Sequence, residues 1–380
     1  MEGKKELEAL EKFHEVVNNR HRYAQNWKSK TKGKVIGYLC TYVPEEIIYA
    51  SGVLPVRILG GHESPTISDV HIFSMYCPFC RDCLAQGLKG KYDYLDGIVT
   101  AHSCIHIRQT FDSWKRHLPT SYSYYMYMPA HIQIPQAHDC LVGELSEFKH
   151  SLEEWTGQII SPQSLDNSIV VYNTSRRLMK NIYELRKKDP PPISGVEAME
   201  MVLSSMFMDK EEHNNWLELA LDDLAKSQGK NKSGTRLMFI GGSSDDVDFV
   251  RLVESMGANI VIDDHCTGTR YFWNEVSTED DQLSAIAGRY INKPPCPHKD
   301  LVERHRLDHL LSLAKEYRVQ GVIMILQKFC APHEFDAPPI RSMFENANIP
   351  VLFLESDVTI PVGQFQTRVE AFLEMIQFDI

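Results

Sequence analysis

Short apolar runs rich in β-branched and aromatic residues recur along this chain, each trailed by a helix-periodic stretch, and they fall in two blocks. The first block holds Val35–Cys40, Val53–Leu59, Val70–Tyr76 and Leu95–Thr100, and the second holds Leu237–Ile240, Asn259–Ile262, Gly321–Ile325 and Val351–Leu354. Runs this short, without polar alternation, read as strands buried on both faces, and strand–helix alternation builds parallel sheets covered by helices. The expected fold class is α/β, with two doubly wound parallel-sheet units of Rossmann or flavodoxin-like type. Between the blocks the pattern turns helical through Leu145–Trp155, Leu165–Arg186 and Val196–Met208, interrupted by Asp189-Pro190-Pro191-Pro192. An amphipathic helix over Glu6–Trp27, with Leu7, Leu10, Phe13 and Val17 on one face, leads in, and a helix over Thr367–Ile376 closes the chain. Pro44 followed by Glu45 and Glu46 has the residues of a helix start. The polar stretch Lys226–Gly234 reads as a linker. The expected division is residues 1–140 for the N-terminal helix and first α/β unit, 141–228 for the helical section and 229–380 for the second unit.

A chain of 380 residues buries roughly three-quarters of the surface that its unfolded form exposes, so its core needs no disulfides. The nine cysteines therefore call for another explanation. A formal net charge of −11 repels a phosphate backbone, which argues against nucleic acid as a partner. The start, Met1-Glu2-Gly3-Lys4-Lys5-Glu6, is charged with no apolar signal region behind it, and no apolar run is long enough to span a bilayer. The expectation is a cytoplasmic protein without membrane contact. In that reducing setting cysteines serve as metal ligands, reactive thiols or small core residues.

Five cysteines, Cys40, Cys77, Cys104, Cys266 and Cys330, follow the carboxyl ends of expected strands. That edge is where open α/β sheets bind ligands, and core cysteines have no reason to prefer it. Thiolates from two such units converging on one place suit an iron–sulfur cluster or zinc, and zinc, which favours two close pairs of ligands, fits the scattered spacing less well. Cys77-Pro78-Phe79-Cys80-Arg81-Asp82-Cys83 looks like the start of a ferredoxin motif but lacks the later cysteines such a motif needs. If Pro78 opens a helix, Cys80 and Cys83 follow its turns as packing residues. Cys140 and Cys296 read as packing or surface-loop residues.

The chain resembles the family of 2-hydroxyacyl-CoA dehydratases and benzoyl-CoA reductases. The resemblance is carried by Gly37-Tyr38-Leu39-Cys40-Thr41-Tyr42-Val43-Pro44-Glu45-Glu46, Gly52–Arg57, Met75–Arg81, Tyr94–Gly97, Asp263–Phe272, Gln327–Cys330 and Thr367–Glu374, in order from end to end. Within the family the likeness is greatest to the smaller cluster-bearing (gamma) subunit of ATP-dependent benzoyl-CoA reductase. The resemblance implies a [4Fe-4S] cluster on Cys77, Cys104 and Cys330, a related cluster-bearing subunit as partner, and a separate ATP-hydrolysing activator subunit pair. It carries over no ligand role to Cys266, and Cys40 falls where the family varies. Dehydratase members tend to have an aspartate directly after the second ligand cysteine, whereas this chain reads Ser103-Cys104-Ile105-His106, which points to the aromatic-ring reductase branch.

The implied reaction is reduction of an aromatic acyl-CoA thioester, such as benzoyl-CoA, to a cyclic diene by single electrons from a low-potential cluster. The alternatives are a 2-hydroxyacyl-CoA dehydratase subunit and a non-catalytic electron-relay subunit. Electron arrival must be matched by protons. Glu46, where the family places a glutamate near substrate, and His106 beside Cys104 are the candidates, with a helix-dipole acid and a packing or surface histidine as the plainer readings; the same holds for His102. Tyr42 is a candidate substrate contact, and Arg57 and Arg270 are candidate partners for CoA phosphates, although ion pairs are the commoner use of arginine. Ile240-Gly241-Gly242-Ser243-Ser244 is a weak phosphate-loop signal, more simply a turn, and there is no Gly-x-x-x-x-Gly-Lys-Ser/Thr motif.

Overall fold

The computed structural model describes residues 2–226, 232–278, 281–359 and 361–378. Among the described residues eight strands form two sheets: β1 (Val35–Tyr38), β2 (Leu54–Arg57), β3 (Gly97–Ala101) and β4 (Tyr122–Met126), then β5 (Thr235–Gly241), β6 (Ala258–Asp264), β7 (Gly321–Gln327) and β8 (Val351–Ser356). The first sheet runs β2-β1-β3-β4 and the second β6-β5-β7-β8, with every pairing parallel. This is the expected doubly wound α/β arrangement, and both halves carry the same order. In each, the order reverses beside the first strand, so the crevices lie past the ends of β1 and β3 and past those of β5 and β7. The strands β1, β2, β3, β5 and β6 are buried throughout, which their unbroken apolar character requires.

Two sequence expectations change. Val70–Tyr76 is not a strand: after a short 3-10 turn over Thr66–Ser68 it runs as turns, with Val70 82%, Phe73 72% and Met75 64% exposed. An apolar run without a sheet to pair with has no reason to extend. Tyr122–Met126 is instead the edge strand, unrecognised because Ser123 and three tyrosines give it a half-buried, mixed character. The lead-in helix is two, Glu2–Asn18 and Arg20–Thr31; Ala9, Phe13 and Val16 are buried, while the side chain of Leu7 lies outside those described.

The middle section is helical as expected, over Gln136–Thr156, Pro162–Leu185, Gly195–Ser205 and Lys210–Lys226, and the last helix spans Val362–Phe378. Of the polar stretch Lys226–Gly234, residues 227–231 lie outside the described residues. Several helices start conventionally: Ser161 accepts from the Ser164 amide, Ser194 and Glu197 form a capping box, and Asp246 accepts from Phe249. One hydrophobic cluster joins Val35, Leu54 and Ile98 of the first sheet to Leu237, Phe239 and Ile323 of the second. Among the described residues no helix is long and apolar enough to cross a membrane.

Candidate functional site

The carboxyl ends of the two sheets face one another across a cavity of about 650 Å³ of atom-free space that opens to solvent. Its walls are the segments after β1 (Leu39–Tyr42), β3 (Ser103, Cys104), β5 (Gly242, Ser243), β6 (Cys266) and β7 (Gln327, Cys330), with Arg57 at the end of β2. Seven of the nine cysteines line it: Cys40, Cys77, Cys80, Cys104, Cys266, Cys296 and Cys330. Cys83 is buried beneath Ile58, and Cys140 is exposed on the helix Gln136–Thr156.

Cys77, Cys104 and Cys330 share a further feature, since each is the N-cap of a helix: Pro78–Leu88, Ile105–His117 and Ala331–Asn346. Cys104 and Cys330 follow strands as expected. Cys77 does not, because Val70–Tyr76 is not a strand, and Pro78 at the first helical position places it instead. None of the three side chains closes a capping hydrogen bond, in contrast to the Ser and Asp caps elsewhere. The positive helix ends and free first-turn amides therefore favour negative charge at these thiols. Cys330 is set in place by Phe329, held at φ 61°, the left-handed region that a bulky side chain rarely adopts, and by a 3.1 Å bond from the Cys330 amide to the Gln327 carbonyl. Gln327 also ties the walls together, accepting from the Cys77 thiol at 3.1 Å and donating to the Ser243 carbonyl at 2.9 Å.

As free thiols these groups stay protonated near neutral pH. Burial pushes Cys104 up to about 12. The Cys330 contact pulls Cys77 down, but Cys80 and burial outweigh it and leave Cys77 well above the usual thiol range; Cys77 and burial raise Cys330 in turn. Cys266 differs: burial would push it up, but Arg270, Arg57 and Lys293 outweigh burial and bring it below the ordinary thiol value.

The remaining candidates divide. Tyr42 is on the cavity wall, its hydroxyl accepting from the Cys296 amide at 3.3 Å. His106 is half-buried, its ring against Tyr76, and its Nδ1 accepts from the Cys77 amide at 3.1 Å; burial lowers its pKa, so the neutral ring carries its proton on Nε2. His102 contacts Met128 and the ring of His298. Arg57 and Arg270 are 1% and 2% exposed, so neither presents its guanidinium at the surface. Arg270 binds the Gly241 carbonyl and lies 3.6 Å from Asp264. Glu46 does not line the cavity; it is fully buried behind it, paired with Arg176 and accepting from Tyr290 at 2.9 Å. The glycine turn after β5 is cavity wall, with the Gly242 carbonyl taking the Cys266 amide at 2.8 Å. Sequence reasoning did not connect Cys296 with the cavity, since a Pro-rich loop carries no periodic signal to place it; Lys293 and Lys299 of the same loop are buried.

An iron–sulfur cluster, the group implied by the family resemblance, fits this donor set. Soft thiols surround the space from several sides, and among the described residues no three His, Cys, Asp or Glu side chains close on a single point as a lone ion requires. The Nε and Nη1 of Arg57 and the Ser103 hydroxyl are buried on the cavity wall without hydrogen-bond partners. An anionic group carrying several acceptor sulfurs would satisfy such donors.

The (R)-phenyllactyl-CoA dehydratase beta subunit of Clostridium sporogenes is 25% identical over 365 residues, 96% of this chain and 97% of its own. A benzoyl-CoA reductase subunit of Thauera aromatica is 27% identical over 336 residues, 87% of each chain. The beta subunit of the (R)-2-hydroxyglutaryl-CoA dehydratase of Acidaminococcus fermentans is 27% identical over 380 residues, covering 97% of this chain and 98% of its own. With residues 40–376 matching the family described as 2-hydroxyglutaryl-CoA dehydratase, D-component, the chain belongs to that family.

Proposed function

We propose that this chain is the iron–sulfur subunit of an ATP-dependent aromatic-ring reductase acting on an aromatic acyl-CoA such as benzoyl-CoA, with a [4Fe-4S] cluster on Cys77, Cys104 and Cys330. The observation that carries the reading is that these three cysteines each begin a helix at one cavity between two sheet ends. When bound, the cluster supplies single electrons at a low potential set by burial, charge and hydrogen bonds to sulfur. The chain's own residues do the rest. The three thiolates would hold the group, and the first-turn amides and Arg57 would offset its negative charge. His106 holds a proton at Nε2 beside the Cys77 and Cys104 segments, where a proton has to follow each electron. Ser103-Cys104-Ile105-His106 favours the reductase over the dehydratase, as does the likeness to a benzoyl-CoA reductase subunit. The partners in this reading are a related cluster-bearing subunit and an ATP-hydrolysing activator pair, in the cytoplasm.

A second reading, a 2-hydroxyacyl-CoA dehydratase subunit, is favoured by the relatives named as dehydratase beta subunits, which match over nearly the whole chain. The two separate on substrate. The complex isolated without oxygen is expected to consume reductant in step with loss of the aromatic thioester; loss of water from a 2-hydroxyacyl-CoA with no net reductant consumed sinks the reductase reading. For the ligands, Cys77→Ala, Cys104→Ala and Cys330→Ala are each expected to lower iron content and alter the paramagnetic spectrum, and Cys80→Ala to leave both in place. Iron loss from Cys80→Ala as complete as from Cys77→Ala would return the ferredoxin-like assignment.

A further inference from the structure

Three cysteines account for the proposed cluster, yet seven line the cavity. Cys40, Cys266 and Cys296 come from three separate segments, after β1, after β6 and from the loop before the helix His305–Glu316, and chain proximity does not explain their meeting. All three are partly exposed into the cavity rather than sealed in the core. They lie within electrostatic reach of one another, Cys296 with Cys266 and Cys40, and of the first set through Cys104 with Cys40 and Cys330 with Cys266.

A second observation is independent of the thiols. Lys293 and Lys299 are 2% and 0% exposed, and among the described residues neither has a carboxylate within ion-pair distance. Lys293 donates to the Thr41 carbonyl at 2.8 Å beside the Tyr42 ring, and Lys299 donates to the Pro129 carbonyl at 2.6 Å. Burial pushes Lys293 down to about 7 and Lys299 down to about 8, and an anion nearby would favour the charged form of both. Both bear on the second set of thiols: Lys293 on Cys266, and Lys299 on Cys40 and Cys296. The Thr41 whose carbonyl Lys293 binds lines the space that these thiols face, so an anion bound there would stand beside this lysine.

We infer that Cys40, Cys266 and Cys296 hold a second iron–sulfur unit in the same cavity, next to the one on Cys77, Cys104 and Cys330. The inference rests on the proposed function for the first cluster. A disulfide would leave the third thiol and both lysines unmatched. A lone zinc ion fails because no three donors among the described residues converge on a point. A polynuclear group reaches thiols that come from separate segments and brings negative charge beside the lysines. A chain loaded in this way stores more than one electron, drawn from an external low-potential reductant.

The test is the iron and acid-labile sulfide content of the full chain, isolated and reconstituted without oxygen. It compares wild type, the triple variant Cys40→Ser/Cys266→Ser/Cys296→Ser and the triple variant Cys77→Ser/Cys104→Ser/Cys330→Ser. The expected result is about eight iron per wild-type chain and about four in each variant, since each cubane unit holds four. The single variant Cys266→Ser guards against misfolding: with unchanged circular dichroism and elution, its reductive titration is expected to fall from about two electrons per chain to about one. About four iron in wild type, retained by the Cys40/Cys266/Cys296 variant and lost by the other, overturns this inference and leaves the proposed ligands standing. Four iron lost by the Cys40/Cys266/Cys296 variant alone overturns the proposed ligands as well, as does wild type that takes up none.

Discussion

The carboxylate of Glu46 lies where no solvent reaches it, gripped by Arg176 and accepting from the Tyr290 hydroxyl. Arg176 lowers its pKa against the upward push of burial, so the charge persists at neutral pH. Removing one member of such a pair leaves the other buried and uncompensated, at a cost of about 3–5 kcal/mol. Glu46→Ala is therefore expected to lower unfolding stability by about that amount, and Glu46→Met with Arg176→Met to recover most of it. Urea denaturation measures both; an unchanged midpoint in the single variant would refute the structural role. In sequence Glu46 is only an acid at a helix start, because Arg176 is 130 residues away. Cys296 is similar: its sequence neighbours are prolines and a lysine, and only the fold brings Cys266 near.

At the level of single elements, β1 works because Gly37 has no side chain. A Cβ there would stand 2.6 Å from Leu95 and 2.7 Å from Ile58, and the strand is hemmed in by β2 and β3. Gly37→Val is expected to cost about 1–3 kcal/mol through overpacking and, because β1 leads into Cys40 and Tyr42, to reduce iron uptake in reconstitution. Thermal unfolding and iron analysis check the two effects. The strands with strong apolar runs were legible in sequence, since burial on both faces selects such residues directly. Val70–Tyr76 misled because Val70, Phe73 and Met75 point to solvent and only Ile72 packs into the core, and β4 was missed because an edge strand needs only one apolar face. That Cys77, Cys104 and Cys330 share an N-cap position was also out of reach, since cysteine is not a residue that marks helix starts.

Across the whole molecule, the two sheet units are clamped at their carboxyl ends. His62, after β2, meets the buried Asp245, after β5, at 3.3 Å. Burial would lower the imidazole pKa, but Asp245 prevails and raises it to about 9. A raised histidine pKa contributes stability that is fully present below the unfolded value near 6.5 and is lost as pH rises toward 9. The ring is partly exposed, so screening limits this to about 1 kcal/mol. Wild type is therefore expected to lose about 1 kcal/mol more than His62→Asn between pH 6 and pH 9.5, measured by urea denaturation. Equal losses in the two proteins would remove the clamp from the account.

By itself the sequence determined the α/β class, most strands and the placing of four cysteines past strand ends, because burial on both faces and chain direction are written in local runs of residues. Only the tertiary structure decided which thiols share a space, that Glu46 is paired with Arg176 in the interior, and that Lys293 and Lys299 lie buried with no carboxylate partner among the described residues. Those facts depend on how two sheets, coded far apart, turn their carboxyl ends toward each other, and that is set by long-range packing that no local pattern carries.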